Sequence, residues 1–469
     1  MKLKWICAVA CGAGLLCAQI PEDPLTNART KLKDHDLDGA YEDLQKALAQ
    51  KADSVELQAL LGDVDYLRGE FPEAEMAFKH AIRLDSKCAL AWVGLGKVFQ
   101  AASLHAQARL CYRTAYEADP RDLEVQRRYA STLTAAERLP MLENYLAKVG
   151  DGGDPEIISG VRQQIAELKW AGGRAMFALS SPLEPTENKL SHLMYDPKRI
   201  RGFALPVAFN GGKPLRLLVD TGAGGIMLNR KSAERAGLQR IADAKFWGIG
   251  DAGDQTGYMA MAETVQAGQV SFRNCPIVVS ARELLTGQDG VIGTNVFSQF
   301  LVTLDLQKMI LRLDPLPKRQ TTEDDWSDPE KIAEFVGFTR FWHVGHAILL
   351  STRVNGAKPV LFLIDTGGAI SLIDPTYARQ FTGVENEDRM TVRGASGKVA
   401  KVQSAGRLTF EFGHYRMPVP GLTAVPLTKM SHDSPRMTGI FGVGTLVNFR
   451  IQVDYRDGLI NLEYIGPKY

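Results

Sequence analysis

Leu217-Leu218-Val219-Asp220-Thr221-Gly222-Ala223 decides how the rest of this chain is read, because it returns as Leu361-Phe362-Leu363-Ile364-Asp365-Thr366-Gly367-Gly368. Each copy is an apolar run with strand character that ends on a carboxylate followed by threonine and glycine. A carboxylate so placed sits partly buried at a tight turn, where burial disfavours its charged form and the glycine lets another backbone or a ligand come close. A single Asp-Thr-Gly at a strand end fits an ordinary turn equally well. The surroundings of the two copies argue for more.

Asp289-Gly290-Val291-Ile292-Gly293 and Phe300-Leu301-Val302-Thr303-Leu304-Asp305 follow the first copy; Thr438-Gly439-Ile440-Phe441-Gly442 and Phe449-Arg450-Ile451-Gln452-Val453-Asp454 follow the second. The offsets from Asp to the first Gly agree closely, 290 − 220 = 70 and 439 − 365 = 74. Before each Asp, strand residues run into Asn-Gly (Asn210-Gly211 and Asn355-Gly356), a strong hairpin signal. The chain therefore carries a duplicated all-β unit.

Each unit resembles a lobe of a retropepsin-type aspartic protease, in which an apolar-Asp-Thr/Ser-Gly-Ala/Ser loop supplies a catalytic carboxylate and a later apolar-apolar-Gly strand passes behind it. The resemblance covers residues 200–315 and 340–466. A linker at 316–339, with Glu323-Asp324-Asp325 and a short helix expected over 329–336, joins the two. It implies two β-barrel lobes forming an intrachain pseudo-dimer, with Asp220 and Asp365 as the catalytic pair. Thr221 and Thr366 would bridge the two loops, and Gly222 and Gly367 would admit backbone close to the pair. Gly368 departs from the pattern, which has Ala or Ser there.

Two carboxylates so close cannot easily both ionise and therefore share a proton. The charged one can act as general base on a water, while the protonated one hydrogen-bonds the scissile carbonyl. The reading implies an aspartic endopeptidase acting on a protein or peptide, with no cofactor and no metal. The alternative is a non-catalytic interaction scaffold whose lobes are inactive or pair between chains.

Gly248-Ile249-Gly250-Asp251-Ala252-Gly253 satisfies the dinucleotide-binding pattern, but that fingerprint has meaning only where a helix follows, and Asp254-Gln255-Thr256-Gly257-Tyr258 reads as further turn. A glycine-rich hairpin is the better account, and its place between the Asp loop and the Gly-Val-Ile-Gly strand is where the resembled family carries a substrate-covering flap. Gly250 and Tyr258 are thus flap or cleft candidates, as are Gly394 and Ser396 at the matching place in the second copy. An ordinary packed tyrosine is an equal reading of Tyr258. His343 and His346 have helical metal-ligand spacing, yet they lie at an expected strand start, where that spacing puts them on opposite faces.

Residues 1–18, with Lys2 and Lys4 ahead of an apolar segment at 5–17, read as a secretory signal peptide and imply a periplasmic or extracellular protein; an uncleaved anchor is the other reading. Leu15 and Leu16 are too bulky for a lipoprotein signal at Cys17. Cys88, Cys111 and Cys275 then remain, too few for a disulfide framework and without metal-ligand spacing.

Over residues 21–147 small residues recur with a period of 34: 74 − 40 = 34 and 108 − 74 = 34 for Ala40, Ala74 and Ala108, with Leu44, Phe78 and Tyr112 between further alanines. This resembles tetratricopeptide repeats (TPR), an α-solenoid of about three helix pairs capped by a helical stretch at 123–146. Such an array implies a protein partner, or else an internal dock for the β region. A helical or irregular connector at 148–199, with one helix over 155–170, leads to the first lobe. Lys and Arg number 55 against 54 Asp and Glu, and no basic run is present, so nucleic acid is an unsuitable partner.

Overall fold

The 34-residue period of small side chains is a period of helices. The computed structural model describes residues 24–196, 199–246, 248–253, 255–281, 288–318, 336–427 and 434–467; the signal segment, the acidic cluster and the helix expected over 329–336 lie outside these, apart from the last residue of that helix. Eight helices form four antiparallel pairs: α1 (Pro24–Lys33) with α2 (Leu37–Gln50), α3 (Val55–Arg68) with α4 (Phe71–Leu84), α5 (Ala89–Ala101) with α6 (His105–Ala118), and α7 (Leu123–Ala130) with α8 (Ala135–Val149). From the second pair on, the first helices start 34 residues apart, 89 − 55 = 34 and 123 − 89 = 34.

The physical reason is a fit of small against large. The Phe78 ring lies so close to Gly62 and Gly94 that a Cβ there would stand 2.6 and 2.1 Å from it, and Tyr112 crowds Gly96 in the same way at 2.6 Å. Asp36, Ser54 and Asp122 cap α2, α3 and α7 by accepting backbone N–H groups. The helical stretch 123–146 forms a fourth pair, its two helices separated by residues 131–134. There Thr134 and Glu137 form a reciprocal capping box that starts α8. Helix α9 (Pro155–Ala171) follows and packs on the hairpin strand Gln239–Phe246.

The β region begins earlier than residue 200. Ala178–Leu179 pairs with Val270–Ser280, and Thr186–Lys189 pairs with Ile310–Pro315, so the second half of the expected connector already belongs to the sheets. The first of these edge strands is only two residues long and the second is polar, which is why they resemble connector in the sequence.

In the first lobe, the strand Leu215–Asp220 runs parallel to Gly290–Gly293, flanked by Arg199–Phe209 on one side and Ile226–Asn229 on the other. The long hairpin Gln255–Ala267/Val270–Ser280 pairs with both flanks and closes the ring of strands. The second lobe repeats the order: Val360–Ile364 parallel to Gly439–Phe441, between Ala347–Val354 and Leu372–Ile373. Its closing hairpin is cut into pieces, Gln403–Ala405 then Leu408–Phe412, and Tyr415–Val419 then Leu422–Ala424. Pro420-Gly421 interrupts the returning strand because proline cannot donate to the ladder.

A six-stranded sheet joins the lobes. Phe300–Asp305 of the first pairs antiparallel with Phe449–Asp454 of the second, through Val302↔Val453 and Leu304↔Ile451. The two Phe-to-Asp motifs noted in the sequence are therefore neighbours, and they hold the Asp loops in a fixed relation.

The helical array docks on the second lobe through the turns that join the members of its pairs. Phe71 is buried and packs at a tilt of 34° on Trp342 with ring centroids 4.2 Å apart, while Gly69 leaves room for Leu361, whose Cδ1 would be 2.7 Å from a Cβ there. Arg436 reaches Asp38 with both guanidinium nitrogens at 2.7 and 3.0 Å, and Lys358 pairs with Glu70 and Glu73. Exposed ion pairs of this kind contribute about 0–1 kcal/mol each, so the apolar contact around Phe71 and Leu361 dominates the docking.

Candidate active site

Asp220 ends its strand and Asp365 immediately follows Val360–Ile364, so each carboxyl emerges where its loop leaves the sheet. The loops are locked to each other by crossed hydrogen bonds. The Thr221 hydroxyl donates to the Ile364 carbonyl at 2.6 Å and accepts from the Thr366 N–H at 3.0 Å; the Thr366 hydroxyl donates to the Val219 carbonyl at 3.0 Å and accepts from the Thr221 N–H at 3.0 Å. Both threonines are buried. A hydroxyl both donates and accepts, which lets one residue type close the exchange from each side.

This exchange brings the two carboxyl groups together around Gly222 and Gly367. The glycines give the room for it. A Cβ on Gly367 would be 2.2 Å from Asp220 Oδ2, and one on Gly222 would be 3.0 Å from Asp365 Oδ1. The Gly222 N–H donates to Asp220 Oδ1 at 2.7 Å, and the Gly367 and Gly368 N–H groups donate to Asp365 Oδ1 at 2.9 and 2.8 Å. Burial, and after it the charge of Asp365, pushes Asp220 well above the usual carboxylate range; burial likewise raises Asp365. Two carboxyl groups so placed cannot easily both ionise.

The two glycine-rich turns also meet. The Ser396 N–H donates to the Ile249 carbonyl at 3.0 Å, the Ser396 hydroxyl accepts from the Gly248 N–H at 3.1 Å, and the Ser396 carbonyl accepts from the Ala252 N–H at 2.9 Å. Gly250, at φ +133°, lies against Ser396, and Gly394 lies against Ile249. Strands Gln239–Phe246 and Gln255–Ala267 flank the first turn, and no helix follows it, so the dinucleotide fingerprint has no phosphate-binding context. Tyr258 stands apart from this clasp: it packs against the first lobe's core with the Arg240 guanidinium over its ring.

The sequence reading missed His346. Its Nε2 is 3.0 Å from the Gly222 carbonyl, so the hairpin of the second lobe braces the Asp220 loop of the first, and burial lowers its pKa. A signal was present: 365 − 346 = 19 and 220 − 201 = 19, so His346 and the buried Arg201 stand at one offset before the two Asp residues. Nearby, Tyr455 of the second lobe and Thr294 of the first join by their hydroxyls in a buried contact. Among the described residues, no group of three His, Cys, Asp or Glu side chains gathers as metal ligands, and His343, pushed down to about 4 by burial, joins none.

Two tandem segments, residues 205–296 and 350–444, match the family model described as aspartyl protease. Each holds one Asp-Thr-Gly loop with its parallel glycine strand, so the matches coincide with the two lobes. Among solved structures, an aspartic proteinase from Irpex lacteus is similar at 15% identity and a TM-score of 0.38, over 60% of this chain and 97% of that one. No curated protein matches the sequence.

Thr221→Ala leaves the buried Thr366 N–H and Ile364 carbonyl without partners and is expected to cost about 2–4 kcal/mol, whereas Thr221→Ser keeps the exchange and costs far less. Urea denaturation of the two variants measures the difference; equal midpoints would show that the crossed bonds do not hold the lobes together.

Proposed function

We propose that the chain is an exported aspartic endopeptidase in which Asp220 and Asp365 form one dyad within a single chain. The observation that supports this reading is the crossed Thr221–Thr366 exchange, which brings the two Asp loops, and with them both carboxyl groups, together around Gly222 and Gly367. One carboxylate takes a proton from the water, and the protonated carboxyl bonds the scissile carbonyl, so hydrolysis proceeds by acid–base chemistry at the two side chains. The alternatives, an inactive scaffold or lobes pairing between chains, draw less support. Gly368 leaves Asp365 well supplied with donors, and both Asp loops meet inside one chain.

The test is cleavage of a denatured protein by the purified chain. Asp220→Asn and Asp365→Asn are each expected to abolish it, and the pH profile of kcat/KM is expected to be bell-shaped. Activity falls on the acidic side, where both groups are protonated, and on the alkaline side, where both are ionised; with Asp220 raised, the alkaline limb lies above the usual carboxylate range. Cleavage that survives in either Asn variant removes the dyad.

The helical array completes the proposal as TPR-like repeats that tether the protein substrate through an apolar stretch. Supporting this is an apolar groove of about 350 Å³ lined by Ile82, Trp92, Leu95, Phe99 and Leu110, with Leu110 51% exposed. Leu110→Glu is expected to raise KM for a protein substrate and leave cleavage of a short peptide unchanged; equal effects on both substrates would refute the tether. Export follows from the reading of residues 1–18, and N-terminal sequencing of the mature chain should begin near Gln19. A mature protein that retains Met1 contradicts cleavage of the leader.

A further inference from the structure

The two Asp loops differ at one position, and the difference changes what each carboxylate receives. Asp365 Oδ1 accepts two backbone N–H groups, those of Gly367 and Gly368. Asp220 Oδ1 accepts one, from Gly222, while Asp220 Oδ2 lies against Gly367, whose N–H also faces Asp220. In the first loop the residue corresponding to Gly368 is Ala223.

Gly368 leaves space that a side chain would crowd. A Cβ there would stand 2.9 Å from Asp365 Oδ2 and 3.3 Å from its Cγ. The Asp365 carboxyl would have to shift against the two N–H groups that hold its Oδ1. Each N–H aimed at a carboxylate favours the ionised form, so a glycine that preserves two such donors lowers the proton affinity of Asp365 relative to its partner.

Resting on the dyad reading above, we propose that Gly368 is a positioning residue that fixes the polarity of the pair: Asp365 is the ionised member and Asp220 the protonated one. In the hydrolytic step the water oxygen forms the new bond to the carbonyl carbon, and the water's proton goes to Asp365. The Asp220 proton goes to the carbonyl oxygen. The adduct is neutral, and the pair has exchanged the position of its one proton. The departure of Gly368 from the Ala or Ser of the resembled loops is thus the source of the asymmetry.

The experiment is the pH profile of kcat/KM on a peptide substrate for the wild type, Gly368→Ala and Ala223→Gly, with folding checked by circular dichroism. In Gly368→Ala the hold on ionised Asp365 weakens, so the acidic limb moves up by about one pH unit, and kcat falls while KM stays. In Ala223→Gly, which gives the Asp220 loop the same freedom, the alkaline limb moves down and the acidic limb stays. A folded Gly368→Ala protein with its acidic limb in place overturns the assignment, as does an Ala223→Gly protein whose acidic limb moves instead. If Gly368→Ala does not fold, Ala223→Gly decides alone. Full activity in Asp365→Asn is a different failure: it removes the dyad itself, whatever the profiles show.

Discussion

The structure depends on a reciprocal exchange between two buried hydroxyls. Thr221 and Thr366 each give a proton to a carbonyl of the other lobe and receive one from the other's backbone N–H. Hydrogen bonds of this kind are modest in net worth when made and expensive when a buried partner is left unmet. The exchange therefore sets the distance between the Asp loops more strictly than packing alone does. Two carboxyl groups would otherwise separate, because burial and mutual repulsion both oppose their charge. Here the backbone N–H groups of Gly222, Gly367 and Gly368 and a shared proton offset that opposition.

Around this centre the lobes follow one plan with different finish. The joining sheet, the parallel glycine strands and the threonine exchange are common to both halves. The departures are local: Gly368 against Ala223, His346 against Arg201, and a closing hairpin that is continuous in the first lobe and interrupted in the second. The helical array adds a further asymmetry, because it packs on the second lobe through Phe71, Gly69 and the Arg436–Asp38 pair. The clasp at Ser396 ties the two glycine-rich turns to each other.

Much of this was legible before any coordinates, because the informative features are local in the chain. An apolar run ending in Asp-Thr-Gly, repeated with similar offsets, fixes strand, turn and carboxylate together, and alanines spaced by 34 fix helices that must approach closely. The start of α8 was also written in the sequence, as Thr134-x-x-Glu137. Other features were not legible. Thr186–Lys189 is polar and takes its strand form from a partner more than 100 residues away, since Arg312 pairs with Glu187. His346 resembled a residue at a strand start until the fold laid it on the Gly222 carbonyl.

The sequence by itself determined that there are two like halves, that each ends a strand on an acid group, and that small residues recur where helices must touch. These follow from side-chain size, polarity and period, which act over a few neighbouring residues. Only the tertiary structure decided that the acid groups meet, that Asp365 receives two N–H donors where Asp220 Oδ1 receives one, and which face of the β region the helices cover. Those outcomes depend on distances between segments 145 residues apart in the chain, as Thr221 and Thr366 are. Such distances are set by the summed packing of both lobes rather than by any one stretch.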